Sequence, residues 1–180
     1  MLFRSGDEVF LLILTKGEEG GDPKIRVKEA LKSAAVLGIP QKNVHFASIP
    51  DAQIFENLRR AILEIENMTN QYNPYRVYTC SDKDRHQDHV ATAMATKAAC
   101  RYMPQILAYE TPSTLSEFSP QVFIDISDTL PLKAKAIRSH FSQSRKKYMK
   151  VEAVEGLARF RGLQAGVKAA EAFEVYRMML

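Results

Sequence analysis

Val9-Phe10-Leu11-Leu12-Ile13-Leu14 is an unbroken apolar run between the turn formers Ser5-Gly6 and the stretch Gly17 to Pro23, a pattern that predicts a strand buried on both faces. The period then changes. From Pro23 to Leu37, apolar Ile25, Ala30, Leu31, Ala34, Ala35 and Leu37 recur near every 3.6 residues, and Gly38 stops them, which predicts a helix with a glycine beyond its end. A short strand is predicted at Val44 to Ala47 and a helix over Gln53 to Met68, with Ile54, Leu58, Ile62 and Ile65 on one face. Arg76 to Cys80 reads as a strand, followed by a histidine-bearing loop and an alanine-rich helix to about Met103. Downstream, Gln105 to Tyr109 and Val122 to Ile126 read as strands, and Leu130 to Ser142 and Glu152 to Phe173 as helices with interruptions.

Strands alternating with helices of this length predict an α/β fold with a Rossmann-like, doubly wound, mostly parallel sheet. No repeat, low-complexity tract or linker interrupts residues 1–180, which read as one domain. Open sheets of this kind bind ligands at the carboxyl ends of their strands. Three polar segments fall there: Thr15 to Asp22, Pro50-Asp51, and Ser81 to His89.

Composition narrows the partners. With 46% hydrophobic residues the chain has an ordinary globular composition, and no apolar run approaches the roughly 18 residues of a membrane span. No secretory pattern opens the sequence, and two cysteines, Cys80 and Cys100, form no framework, so a cytoplasmic protein with reduced thiols is expected. The net charge of +4 owes much to Arg145-Lys146-Lys147 and Lys150. Without interleaved aromatics for base stacking, that run predicts a solvated helix face and no nucleic-acid partner. Oligomeric state leaves no mark on the sequence.

The chemistry concentrates in Asp84-Arg85-His86-Gln87-Asp88-His89, which holds two of the four histidines directly behind a predicted strand. Imidazoles three residues apart at a helix start share a face and can converge on one site. Zinc accepts imidazole and carboxylate ligands and leaves a position for water in catalytic sites. A pair of satisfied polar side chains at a helix N-terminus is the alternative.

Ser81 to His89 followed by Ala91-Thr92 closely resembles the His-Pro-Asp-His block of the PIG-L/LmbE-like family of zinc-dependent de-N-acetylases. Leu14-Thr15-Lys16-Gly17-Glu18 is similar to the family's Leu-Thr-x-Gly-Glu, Arg26 with Glu29 to its Arg-x-x-Glu, and Pro50-Asp51 to its Pro-Asp turn. Phe123-Ile124-Asp125-Ile126-Ser127, His140-Phe141-Ser142-Gln143, Gly162 and Ala170-Glu171-Ala172-Phe173 resemble its later segments in order. The resemblance implies removal of acetyl from an N-acetylglucosamine-like group, with an N-acetylated amino sugar or glycoconjugate as the partner. It implies Zn2+ as cofactor with His89 as a ligand, and His86 and Asp88 as the catalytic pair. There His86 would stabilise an oxyanion and Asp88 set its charge state or tautomer. It also implies Arg26 and Asp51 as groups for sugar hydroxyls. A local reading of each stays open: Arg26 pairing with Glu29 or Glu18, and Asp51 as a turn residue.

One segment of the family pattern has no counterpart. The family opens on a strand ending in Ala-His-Pro-Asp-Asp-Glu, which supplies two zinc ligands and the general base. Gly6-Asp7-Glu8-Val9 reads instead as the turn entering its second strand. The sequence therefore predicts a chain that begins one strand and one helix late, holds zinc poorly through His89 alone, and is impaired as an enzyme. A non-catalytic carbohydrate- or nucleotide-binding relative is the competing expectation.

Overall fold

The computed structural model describes residues 6–179, so Met1 and the Ser5 half of the predicted Ser5-Gly6 turn lie outside the described residues. In chain order the elements are β1 (Leu11–Ile13), α1 (Pro23–Val36), β2 (Val44–Phe46), α2 (Leu58–Tyr72), β3 (Arg76–Cys80), α3 (Gln87–Ala99), β4 (Gln105–Tyr109), β5 (Val122–Asp125), α4 (Leu130–Arg138), α5 (Val151–Ala165) and β6 (Ala170–Met178). The alternation of strand and helix is the predicted α/β class. The chain divides into two compact units, Met1–Ser48 with Ile124–Glu171 and Ile49–Phe123 with Ala172–Leu180.

In the first unit β1 and β2 form a two-stranded parallel sheet, Leu11 opposite Val44 and Ile13 opposite Phe46. β1 is shorter than the apolar run that predicted it, and its residues are half-buried rather than buried on both faces. Among the described residues it has a single strand neighbour, so one edge gains no cover from the sheet. α1 opens on Asp22, whose side chain accepts from the Lys24 N–H at 2.7 Å, with Pro23 supplying a preset φ. It closes on Gly38 at φ 70, where Ile39 N–H reaches Ala34 O and Gly38 N–H reaches Ala35 O, both at 2.9 Å. That pair of bonds needs the left-handed conformation glycine adopts without strain.

α1 packs against α4, and Ser33 Oγ donates to Ala136 O at 3.1 Å. The buried Glu29 accepts from both the Ser142 N–H and the Ser142 hydroxyl at 2.7 Å. That contact explains why α4 stops at Arg138 instead of reaching Ser142. A continuing helix would spend the Ser142 N–H on the carbonyl four residues back, and here Glu29 takes it, leaving a 3-10 turn at Phe141–Gln143. The basic run also differs from expectation: it lies in a loop with a 3-10 turn at Lys147–Met149, not on a helix face. Ile126, Ala158 and Ala169 form a buried cluster under Leu130.

The second unit carries most of a four-stranded sheet of order β3-β4-β6-β5. β3 and β4 are parallel, and β6 runs antiparallel to β4. Ala91, Ala93 and Ala95 on α3 are fully buried, and their small side chains let α3 lie close against α2 and β3. β6 corrects the predicted helix over Glu152 to Phe173. α5 ends at Ala165, Gly166 adopts φ 72, and Ala170-Glu171-Ala172-Phe173 enters a strand. Alanine and glutamate favour helices locally, but pairing with β4 outweighs a preference worth well under about 1 kcal/mol per residue.

α2 begins at Leu58, not Gln53. The Asp88 carboxylate accepts from the Ala52 N–H at 2.8 Å and the Ile54 N–H at 3.4 Å. Two amides that would otherwise point into a first helical turn are thereby held in a loop, with Ala52 at φ 60. Among the described residues no helix is long and apolar enough to cross a membrane.

Three substitutions test this account. A Cβ at Gly162 would sit 2.7 Å from the Ala169 backbone, so Gly162→Ala is expected to lower unfolding free energy by about 1–3 kcal/mol in denaturant titration. Asp88→Ala strands the Ala52 and Ile54 amides and should speed their hydrogen exchange, at a stability cost of about 1–3 kcal/mol. Burial raises the Glu29 pKa, but the Ser142 hydroxyl and N–H, with His140 and Arg26, hold it below its ordinary value. A carboxyl depressed in the folded state stabilises above its unfolded pKa and loses that contribution as pH falls. The gap in denaturation midpoint between wild type and Glu29→Gln is therefore expected to be full at pH 7 and to shrink below about pH 4.

Candidate functional site

The loop leaving β3 is fixed from below by buried polar groups. Ser81, with no exposed surface, donates to Glu174 Oε2 at 3.3 Å, and Lys83 Nζ lies 2.5 Å from Glu174 Oε1. The Asp82 N–H donates to the Tyr176 hydroxyl and that hydroxyl donates back to Asp82 Oδ1, each at 2.7 Å. β6 thus anchors the loop at three successive residues, Ser81, Asp82 and Lys83.

Asp84 sits next, 5% exposed, and accepts from three donors beside the His89 ring. Thr111 Oγ1 donates at 2.5 Å, Ser113 Oγ at 2.7 Å and the His86 N–H at 2.8 Å, while His89 Nδ1 lies 3.1 Å from Oδ2 at an angle short of a well-formed hydrogen bond. Burial pushes the Asp84 carboxyl up, but Thr111, the His86 N–H, Ser113 and His89 bring it down to about 2. Asp84 is therefore an anion at neutral pH, and a carboxylate beside Nδ1 favours the proton there.

His86 caps α3. Its Nδ1 accepts from the Asp88 N–H at 3.2 Å, so the ring's other nitrogen carries the hydrogen in the neutral state. His89, one turn on, stacks against it with ring centroids 4.7 Å apart and planes at 24°. His86 Nε2 is thus the donor in the neutral ring, and the Asp84 carboxylate lies beside Nδ1 of His89.

The sequence-predicted residues divide between the units. His86, Asp88, His89 and Asp51 lie in the second, where Asp51 belongs to the turn that Asp88 holds through Ala52 and that Gln87 Nε2 grips at Ala52 O, 2.6 Å away. The Asp88 carboxylate, expected to act on His86, is directed at that turn instead, and Asp88 reaches His86 through its backbone N–H. Arg26 lies in the first unit, where its guanidinium packs over Gly17, at φ 67, and its Nη1 is buried without a hydrogen-bond partner. Glu29, a suggested ion-pair partner for Arg26, spends both oxygens on Ser142. Cys80 is buried, its thiol pushed up to about 11 by burial and held 3.1 Å from the Tyr109 hydroxyl, in keeping with an inert side chain.

Asp84 is the residue sequence reasoning passed over. Its position two before His86 was visible, but its partners Thr111 and Ser113 come from a segment with no periodic or motif signal. Among the described residues no three His, Cys, Asp or Glu side chains are grouped to hold a metal ion. His89, with a carboxylate at Nδ1 and Nε2 open, has the form of a single metal ligand. One imidazole falls short of the three protein ligands a catalytic zinc site uses. The donors described here do not complete a zinc site.

The family profile described as "PIG-L: GlcNAc-PI de-N-acetylase" matches residues 1–100. "Uncharacterized deacetylase YaiS" of Escherichia coli (strain K12) is 36% identical over 148 residues, 78% of this chain and 79% of that protein. The crystal structure of the conserved protein TT1542 from Thermus thermophilus superposes with a TM-score of 0.83 at 24% identity, covering 99% of this chain and 86% of that one. N,N'-diacetylchitobiose deacetylase from Pyrococcus horikoshii, complexed with its inhibitor MPG, superposes at 0.80 with 23% identity, covering 97% and 74%. At these identities the two structures establish the fold. With more than half of its length matched by the family profile and a curated deacetylase relative along most of it, this chain belongs to the PIG-L family of deacetylases.

Proposed function

We propose that the chain acts on the N-acetyl group of an N-acetylglucosamine-like amino sugar, with His86 and His89 as the groups that meet the amide. The observation that carries this reading is the stacked pair of imidazoles at the start of α3, with Asp84 beside His89 Nδ1 on one side and the Asp88 N–H donating to His86 Nδ1 on the other. An Nε2–H on His86 is the kind of donor that stabilises an oxyanion developing from a carbonyl. Asp88 and Asp84 act as positioning residues, through the Ala52 turn and the His89 ring respectively.

His89 Nε2 is the described group best suited to be a zinc ligand, and with one such donor zinc is held weakly and hydrolysis is impaired. Arg26 carries a buried donor, Nη1, suited to a sugar hydroxyl. Asp51, on the turn held by Asp88 and Gln87, is the proposed hydroxyl acceptor. The absence of a three-donor metal group among the described residues favours a second reading, a non-catalytic carbohydrate-binding relative.

Acetate release from N,N'-diacetylchitobiose, measured with and without added zinc beside direct binding of the sugar, separates the two. Under the enzymatic reading, release rises with zinc, and His86→Ala lowers it by about 10²–10³-fold, the usual loss for a removed oxyanion donor. His89→Ala should abolish the zinc response. Sugar binding with no acetate release at any zinc level would select the binding reading, and full activity in His89→Ala would remove that residue's assigned role.

A further inference from the structure

Within the first unit, α4, α5 and the residues leading into β6 enclose an open cleft of about 390 Å³, within the range of small-molecule sites. It shares no residue with the histidine site. Leu130, Ala134 and Arg138 fall four apart on one face of α4, and Glu155 and Arg159 four apart on α5, so each helix presents a stripe to the cleft. Ala134 and Ala169 are buried, 3% and 2% exposed, and with Leu130 they make an apolar floor.

Charge on the walls is unbalanced. Arg138, Arg159 and Lys168 line the cleft against one carboxylate, Glu155. Glu155, half-buried, lies 3.9 Å from the exposed Arg159, at the edge of ion-pair range and of little energetic weight. Neither Arg138 nor Lys168 has an ion pair or side-chain hydrogen bond among the described residues. The Ser127 hydroxyl is already spent, donating to Asp125 Oδ1 at 2.6 Å and accepting from the Ala169 N–H at 3.2 Å. Three cations around one anion leave two positive charges without a counter-charge over an apolar floor. A ligand that matches this carries a dianionic head and an apolar body, and planar guanidinium forks suit phosphate oxygens.

We propose that this cleft binds a small organic phosphate, its phosphate held by Arg138, Arg159 and Lys168 and its apolar body resting on Leu130, Ala134 and Ala169. Phenyl phosphate is the probe, titrated into the purified chain and followed by calorimetry, with inorganic phosphate, benzoate and benzyl alcohol alongside. The cationic side chains are exposed, so Arg138→Gln and Lys168→Gln are expected to fold as wild type, and circular dichroism checks that they do. Each should weaken phenyl phosphate binding by about tenfold, the loss of one charge-assisted contact. Lys147→Gln, a basic residue outside the cleft, should leave it unchanged. Inorganic phosphate should bind more weakly for want of the apolar body, and benzoate more weakly for want of the second charge. No saturable binding of phenyl phosphate, equal affinity for benzoate, or an equal loss in Lys147→Gln would each overturn the proposal.

Discussion

A charged carboxylate with almost no exposed surface is tolerated only when its oxygens are fully engaged, and Asp84 is such a group. Left unpaired, its burial would cost several kcal/mol; with Thr111, Ser113 and the His86 N–H donating to it, it becomes a fixed anion. That requirement couples three pieces of the second unit. The loop after β3 must pass beside residues 111–113, α3 must start at His86, and His89 must face the same oxygens one turn later. The pairing of Arg85 N–H with Ser113 O and of Leu115 N–H with Lys83 O follows the same path.

Asp88 extends the arrangement outward. Its carboxylate holds the Ala52 turn, its N–H fixes the His86 ring, and its carbonyl accepts from Thr92 Oγ1 at 2.6 Å. A single residue in the first turn of α3 thereby orders a loop 36 positions upstream and selects an imidazole tautomer. Acidic residues suit that helix position because the first-turn amides carry partial positive charge. The family resemblance supplied a role for the Asp88 carboxylate, and the geometry assigns that carboxylate a backbone target instead.

In the first unit the recurring device is the close approach of backbone. Gly162 lets α5 lie against Ala169 with no room for a methyl group, and Glu29 draws the Ser142 turn against α1. Both contacts end or direct an element at a point that helix propensity alone does not choose. The cleft between α4 and α5 is a by-product of the same packing. Ala134 and Ala169 are buried beside it, and Arg138, Arg159 and Lys168 line it.

The sequence by itself determined the alternation of strands and helices, the end of α1 at Gly38, the placement of the histidines behind β3, and the family. Each of these is written in a short window: an apolar period, a capping residue, or a run of adjacent motif residues. Tertiary structure alone decided that Ala170–Met178 is a strand, that α2 starts at Leu58, that α4 stops at Arg138 and that Asp84 anchors the histidines. Those outcomes rest on partners far along the chain, 27 residues for Thr111 with Asp84, 94 for Tyr176 with Asp82 and 113 for Ser142 with Glu29. Local propensity differs by a few tenths of a kcal/mol per residue, whereas a buried carboxylate without its donors costs several, so the distant partner wins.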